Sequence, residues 1–202
     1  MADVVVVTGA ASGIGRATVE CLVGQGRRVV AADLNGDALD WIQGDDRIVG
    51  FVGDVTDEGV NRAMVETAEQ SFGRLDAMVI NAGGPAPGGV DEVGVEDFDR
   101  VHALNVRAPW FGIRAATPAF RRAGAGSVVV TASVSGLGGD PGLFAYNTAK
   151  GGVINLVRSA AFDLAKDGIR VNAVCPGPIR TPMTEQSFSD GSPAAKLIQS
   201  RI

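Results

Sequence analysis

The chain has 202 residues, 46% hydrophobic and 20% charged, with a net charge of −5, which fits one globular domain that buries roughly 70% of its unfolded surface. No Lys/Arg stripe marks a nucleic-acid binder, no apolar run approaches the ~18 residues of a membrane span, and two cysteines, Cys21 and Cys175, make no disulfide framework. Both thiols lie in apolar stretches and read as buried and reduced, in a soluble cytoplasmic protein; the 28 glycines, about twice the usual share of ~7%, point to many tight turns.

The opening MADVVVVTGA has no basic n-region, and residues 4–7 run straight into a glycine turn, so it reads as a strand and not as a signal peptide. Gly9, Gly13 and Gly15 then lead into a helix. A strand, a glycine turn and a helix are what a dinucleotide fold requires: the backbone must approach a pyrophosphate closely, and helix N–H groups point at the anion. The spacing is G-x-x-x-G-x-G, not the commoner G-x-G-x-x-G, and a glycine-rich turn by itself is weak evidence.

The second strand, 28–32, ends at Asp33, 18 residues beyond Gly15. A carboxylate here accepts hydrogen bonds from both ribose hydroxyls of the adenosine half and repels a 2′-phosphate, which selects NAD over NADP. Neither Ser12 nor Leu34, the neighbours best placed to meet a 2′-phosphate, is basic. The rival reading makes Asp33 an N-cap for the next helix, with Asn35 competing for that role.

Further strands at 48–52, 77–80, 128–131 and 169–174 alternate with stretches of helical period. This is an α/β doubly wound architecture, a parallel sheet covered on both faces. Left-handed C-caps are expected at Gly24 or Gly26, Gly73, Gly124 and Gly168. A long helix over about 95–121 carries Val101, Leu104, Ala108, Gly112 and Ala115 on one stripe, with Asn105 beside Leu104. Pro109 has no N–H, so the carbonyl of Asn105, four residues earlier, loses its helical donor. Packing alone is one reading of that kink; the other, a water on the carbonyl that relays protons to Lys150, is implied by the family resemblance given below. His102, the single histidine, reads as structural.

A second long helix, about 145–166, has Val153, Val157, Ala160 and Leu164 at spacings of four, three and four. Extended backwards, the stripe reaches Lys150 and then Tyr146, the one tyrosine in the chain. Both therefore face inward, and a buried lysine needs a partner or a shifted pKa. Ser133 lies thirteen residues before Tyr146, while Ser135 reads as a turn hydroxyl. No Gly-x-Ser-x-Gly elbow and no Gly-Lys pair occur, which argues against a hydrolase and a Walker loop. With one histidine and two cysteines no metal site is expected.

Taken together, these residues resemble the short-chain dehydrogenase/reductase family. TGAASGIG, residues 8–15, is similar to its cofactor loop, which assigns Gly9, Ser12, Gly13, Ile14 and Gly15 to the dinucleotide. Asp54 and Val55 look like its adenine contacts, and Asn81, Ala82 and Gly83 like the motif after its fourth strand, with Ile80 where an asparagine is often seen. Pro176, Gly177, Ile179 and Thr181, in PGPIRT, look like the segment that meets the nicotinamide. Asn105, Ser133, Tyr146 and Lys150 fall where the catalytic tetrad lies, and Tyr146 and Lys150 also bind cofactor.

The resemblance implies a Rossmann-type sheet in the order 3-2-1-4-5-6, a small alcohol or ketone substrate, and a homodimer or homotetramer of the full-length protein. Relatives continue past this point with a further helix, a seventh strand and a glycine-rich tail. Residues 1–202 are therefore expected to form a single domain without the seventh strand, truncated in the substrate lobe. Gly84, Leu137, Leu143, Met183 and Phe188 are expected to line a fairly apolar pocket.

A free tyrosine titrates near 10, and bringing it near 7 requires about 4 kcal/mol of preferential phenolate stabilisation. A unit positive charge about 4 Å away, at an effective dielectric near 20, supplies a gross attraction of that size. Lys150, helped by oxidised nicotinamide, is thus expected to make Tyr146 the acid–base group, with Ser133 holding the substrate oxygen. Two alternatives stand beside an NAD-dependent alcohol dehydrogenase: an NADPH-dependent 3-oxoacyl reductase, and an NAD-binding protein impaired in catalysis by the missing lobe.

Overall fold

The computed structural model describes residues 3–42 and 44–185. Six parallel strands form one sheet: β1 (Val4–Thr8), β2 (Arg28–Asp33), β3 (Ile48–Val52), β4 (Ala77–Ile80), β5 (Gly126–Thr131) and β6 (Ile169–Val174), in the order β3-β2-β1-β4-β5-β6. All six strands expected from the apolar runs are present, with β5 beginning two residues earlier. They are legible because a parallel strand covered on both faces is apolar throughout: every residue of β1 is buried. Val6 sits between Val30 of β2 and Met78 of β4.

Alternate residues of β1 feed two cores. Val5 and Val7 pack with Val19 and Val23 of α1 (Gly13–Gly24). Val4 and Val6 face the larger core, with Met64 and Ala68 of α2 (Glu58–Phe72) and Phe120 of α4 (Ala108–Ala123). Val153 of α5 (Phe144–Leu164) joins the same core. No helix of the described residues is long and apolar enough to cross a membrane.

Gly73, Gly124 and Gly168 end their helices in the left-handed conformation, as expected; α1 instead ends on Gln25, with Gly26 left-handed just beyond. The long helix foreseen over 95–121 is interrupted. It comprises α3 (Val95–His102), a π-helical turn (Ala103–Arg107) in which Ala108 N–H donates to Ala103 O, and α4. Pro109 cannot supply the donor that an α-helix would aim at the Asn105 carbonyl, and the helix widens just before it.

Cys21 departs from expectation. It is exposed on α1, while Cys175 is half-buried, and both thiols are free. Position 21 lies two residues past buried Val19, about 200° around the helix from the core stripe.

Candidate active site

Strands β1 to β3 wind away from β1 in one direction and β4 to β6 in the other. The sheet therefore has a switch point between the carboxyl ends of β1 and β4, where such folds open a crevice. The polar residues at these ends hold the crevice open. Thr8 Oγ1 accepts from the N–H groups of Asn81 (3.0 Å) and Ala82 (3.1 Å). Asn81 Nδ2 donates to Thr8 O at 3.1 Å, and Asn81 Oδ1 accepts from Thr131 Oγ1 at 3.1 Å. One amide thus ties the ends of β1, β4 and β5.

The resulting cleft, about 350 Å³, brings together most of the residues singled out in the sequence. Gly9, Ser12, Gly13 and Ile14 line it with Asp33, Asp54, Val55, Asn81, Ala82 and Gly83, and so do Ser133, Tyr146, Lys150, Pro176, Gly177, Ile179 and Thr181. Gly15 and Asn105 are not in its wall. Gly15 is buried under the loop, where a Cβ would collide with the Gly9 carbonyl, so no larger residue lets the chain turn there. Asn105, 1% exposed, stands behind the wall: its Nδ2 donates to Gly84 O (2.8 Å) and Val101 O (2.9 Å).

At the β2 end, the Asp33 carboxylate accepts from Ala11 N–H through Oδ2 (2.9 Å) and from Asn35 N–H through Oδ1 (3.0 Å). It does not cap the next turn; Asn35 does, accepting from Ala38 N–H at 3.3 Å. Each Asp33 oxygen keeps lone pairs for the cleft, and the groups beside it, Ser12 and Leu34, carry no positive charge. Asp54 is partly committed to Thr56, accepting its N–H at 2.8 Å and its hydroxyl at 2.7 Å. The segment after β6 folds back so that a Cβ on Gly13 would lie 3.2 Å from Thr181 Cβ.

At the other end, Lys150 is 3% exposed and donates from Nζ to Thr131 O at 2.7 Å. Burial pulls its ammonium down to about 8. Tyr146, half-buried one turn earlier, has Lys150 Nζ 5.5 Å from its ring centroid. Burial pushes its phenol above the ordinary value, a hydrogen bond with Ser133 draws it back in part, and the Asp140 charge adds to the rise. Lys150 is not among the groups that move the phenol here, where burial dominates. The inward stripe itself is as expected, with Val153, Val157 and Leu164 buried on the same helix.

The short helical turn after β5, Val134–Gly136, lies against α5 so closely that a Cβ on Gly136 would come within 2.5 Å of the Lys150 carbonyl carbon. A Cβ on Gly83 would likewise be 2.8 Å from Asn105 Oδ1 and 3.3 Å from Lys150 Nζ. Glycines at 83 and 136 thus let Asn105, Lys150 and the turn after Ser133 approach one another closely. His102 is structural: Nδ1 contacts Phe98 O at 2.9 Å, and its ring stacks on Phe98 at 4.0 Å.

Of the residues expected at the substrate pocket, Met183 lines the cleft and Gly84 bonds Asn105, while Leu137 is exposed, Leu143 precedes α5, and Phe188 lies outside the described residues. Gly53, Leu104, Thr131, Ala132 and Thr184 line the cleft without having been foreseen, and Leu34 lines it beside Asp33 as the sequence placed it. Thr131 had a signal, as the last residue of a strand aimed at the switch point. Ser135 lies in the short helical turn Val134–Gly136, a turn hydroxyl as expected, but it is also buried and bonded to Ser133 at 3.0 Å.

Comparison with known proteins agrees with the fold. The family model described as short chain dehydrogenase matches residues 3–192. The chain is 45% identical over 195 residues to 2-(R)-hydroxypropyl-CoM dehydrogenase of Xanthobacter autotrophicus, covering 92% of this chain and 78% of that one. The crystal structure of levodione reductase superposes with a TM-score of 0.90 at 33% identity, over 99% of this chain and 81% of that one. A short-chain dehydrogenase/reductase from Burkholderia phymatum in complex with NAD superposes with a TM-score of 0.86 at 29% identity, over 96% and 72%.

Proposed function

The chain belongs to the short-chain dehydrogenase family, and on that premise we propose that it transfers a hydride between NAD(H) and a secondary alcohol or ketone, with Tyr146 as the acid–base group. The observation that carries this reading is the single cleft that holds Ser133, Tyr146 and a buried Lys150 together with the glycine loop and Asp33. The relatives point the same way by name, one toward a hydroxypropyl compound and one toward a bound NAD.

The residues fit NAD. The loop of Gly9, Ser12, Gly13, Ile14 and Gly15 at the start of α1 presents N–H groups to a pyrophosphate, and Asp33 offers its free lone pairs to the ribose hydroxyls. A 2′-phosphate there would face a carboxylate with no cation beside it in Ser12 or Leu34, which weighs against the NADPH-dependent 3-oxoacyl reductase. Asp54 and Val55 would hold the adenine, Asn81, Ala82 and Gly83 the middle of the cofactor, and Pro176, Gly177, Ile179 and Thr181 the nicotinamide, since all of them line the cleft. When bound, NAD supplies the hydride acceptor.

Tyr146 takes the alcohol proton and returns it in the reduction direction, while Ser133 holds the substrate oxygen by hydrogen bond. Lys150 places its positive charge beside the phenol and reaches the ribose on the nicotinamide side. Behind it lies the Asn105 carbonyl, which Pro109 leaves without an α-helical donor; in this reading that carbonyl holds a water that relays protons to Lys150. Because burial keeps Tyr146 protonated at neutral pH, alcohol oxidation accelerates as pH rises.

Trp110 (47%) on α4 and Phe162 (85%) on α5 are exposed, and a second copy covers these helices in a homodimer or homotetramer. The two free thiols suit a reducing cytoplasm.

The test is an oxidation assay over a panel of secondary alcohols with NAD and with NADP, alongside a fluorescence titration of NADH. Turnover with NAD supports the dehydrogenase, and preference for NADP overturns the Asp33 reading. NADH binding without turnover on any alcohol or ketone identifies a nucleotide-binding protein instead.

A further inference from the structure

Ser133 does not stand alone. Its Oγ donates to Ser135 Oγ at 3.0 Å, Ser135 Oγ donates to Asp140 Oδ2 at 2.5 Å, and Ser135 N–H donates back to Ser133 Oγ at 3.1 Å. Ser133 and Ser135 are 8% and 7% exposed, whereas Asp140 lies at the surface. Asp140 is also held from the catalytic helix: Asn147, the residue after Tyr146, donates from Nδ2 to the Asp140 carbonyl at 2.8 Å. The chain of hydroxyls is therefore anchored at its outer end to the element that carries the phenol.

A carboxylate accepts and does not donate, and this sets the direction of the whole chain. The Ser135 proton goes to Asp140, which leaves the Ser135 oxygen as an acceptor, strengthened by the bond it makes outward. The Ser133 proton is drawn to it. Yet Ser133 also shares the cleft with the Tyr146 phenol and draws its titration down, and stabilising a phenolate there requires that same proton. A hydroxyl has one, so the two acceptors compete.

Resting on the acid–base role of Tyr146 given above, we propose that Asp140, acting through Ser135, is a positioning residue that decides which of two acceptors, Ser135 or Tyr146, receives the single proton of Ser133. Asp140 and Ser135 thereby tune how basic the site is without lining the cleft themselves. The charged groups that bear on Tyr146 are Lys150 from its own helix, 5.5 Å from the ring centroid, and Asp140 from the loop. His102, from α3, is turned to the Thr148 hydroxyl at 3.3 Å.

Because Tyr146 is the one tyrosine in the chain, the near-ultraviolet absorbance of tyrosinate reads its titration directly and needs no substrate. Ser133→Ala removes a group that favours the phenolate, so the titration moves up. Ser135→Ala frees the Ser133 proton for Tyr146 and moves it down by about 0.5–1 unit, the equivalent of one hydrogen bond. Asp140→Asn also moves it down, by releasing the chain and by removing a negative charge, and Ser135→Thr restores the wild-type value. In the Ser133→Ala background, Ser135→Ala has no further effect, because it acts through Ser133.

A Ser135→Ala titration that is unchanged or raised, or a fall that persists without Ser133, overturns the proposal. Turnover of Tyr146→Phe separates this from the functional reading. If turnover survives while the titrations shift as described, the acid–base role fails and the proton competition stands; if turnover is lost while Ser135→Ala shifts nothing, the proposal alone fails.

Discussion

Lys150 reaches from the inner face of α5 to the last carbonyl of β5, donating to Thr131 O at 2.7 Å. That bond fixes the helix bearing Tyr146 against the strand that delivers Ser133. It also holds a cation in a site that burial disfavours, with the ammonium pulled down to about 8 from 10.5. Below pH 8 both folded and unfolded chains carry the proton, and the folded state bears the full cost of burying it. Between pH 8 and 10.5 only the unfolded chain does, so stability rises with pH across that window. Lys150→Met is therefore expected to abolish turnover yet stabilise the protein at pH 7 by about 2 kcal/mol, the relieved burial less one lost hydrogen bond. Thermal denaturation at pH 7 and near pH 10 checks this, since the advantage shrinks as the wild-type lysine neutralises.

Asp33 accepts one backbone N–H on each oxygen and keeps lone pairs toward the cleft. Asp33→Ala should weaken NAD binding about 10–100-fold, the worth of charged hydrogen bonds, and should narrow the preference for NAD over NADP. Dissociation constants for both reduced cofactors, from fluorescence titration, measure the two effects together.

Gly136 packs directly against the backbone of α5 at Lys150. With a Cβ that would fall 2.5 Å from the Lys150 carbonyl carbon, Gly136→Ala must push the turn off α5 and displace Ser133 from Tyr146. Turnover is expected to fall about 100-fold, as for an ångström-scale misplacement, while NADH affinity stays close to wild type because the glycine loop is untouched.

Pro109→Ala restores an N–H four residues after Asn105. If that donor closes the π turn into an α-helix, the Asn105 carbonyl is capped and turnover drops about 10-fold, the loss of a proton relay, with NADH affinity retained. A variant that turns over like the wild type returns Pro109 to a packing role.

The strands and most of the site were legible in the sequence for a physical reason: a buried parallel strand is an apolar run, and the chemistry sits just past its carboxyl end. Asn81 and Ser133 occupy such positions, and Thr8 and Asp33 are the last residues of their strands. The tyrosine and lysine were legible because the Val153, Val157, Leu164 stripe fixed which way the helix faced. The π turn was not legible, since a proline predicts a missing donor but not how the backbone accommodates it. Nor was the bond from Ser135 to Asp140, which depends on how residues 137–143 close over α5 and has no periodicity to announce it. The phenol's upward shift escaped as well, because a charge can be counted from sequence while desolvation cannot. Cys21 could have been placed correctly, as it lies off the Val19 and Val23 stripe.

The central claim, that Tyr146 moves the substrate proton, is tested most directly by turnover of Tyr146→Phe measured beside its NADH affinity. The ring is kept and only the hydroxyl removed, so the fold and the cofactor cleft are preserved. The account predicts NADH binding as in the wild type and alcohol oxidation slowed by about 10²–10⁴-fold, the range for loss of a general base. Turnover within a few-fold of wild type would contradict it.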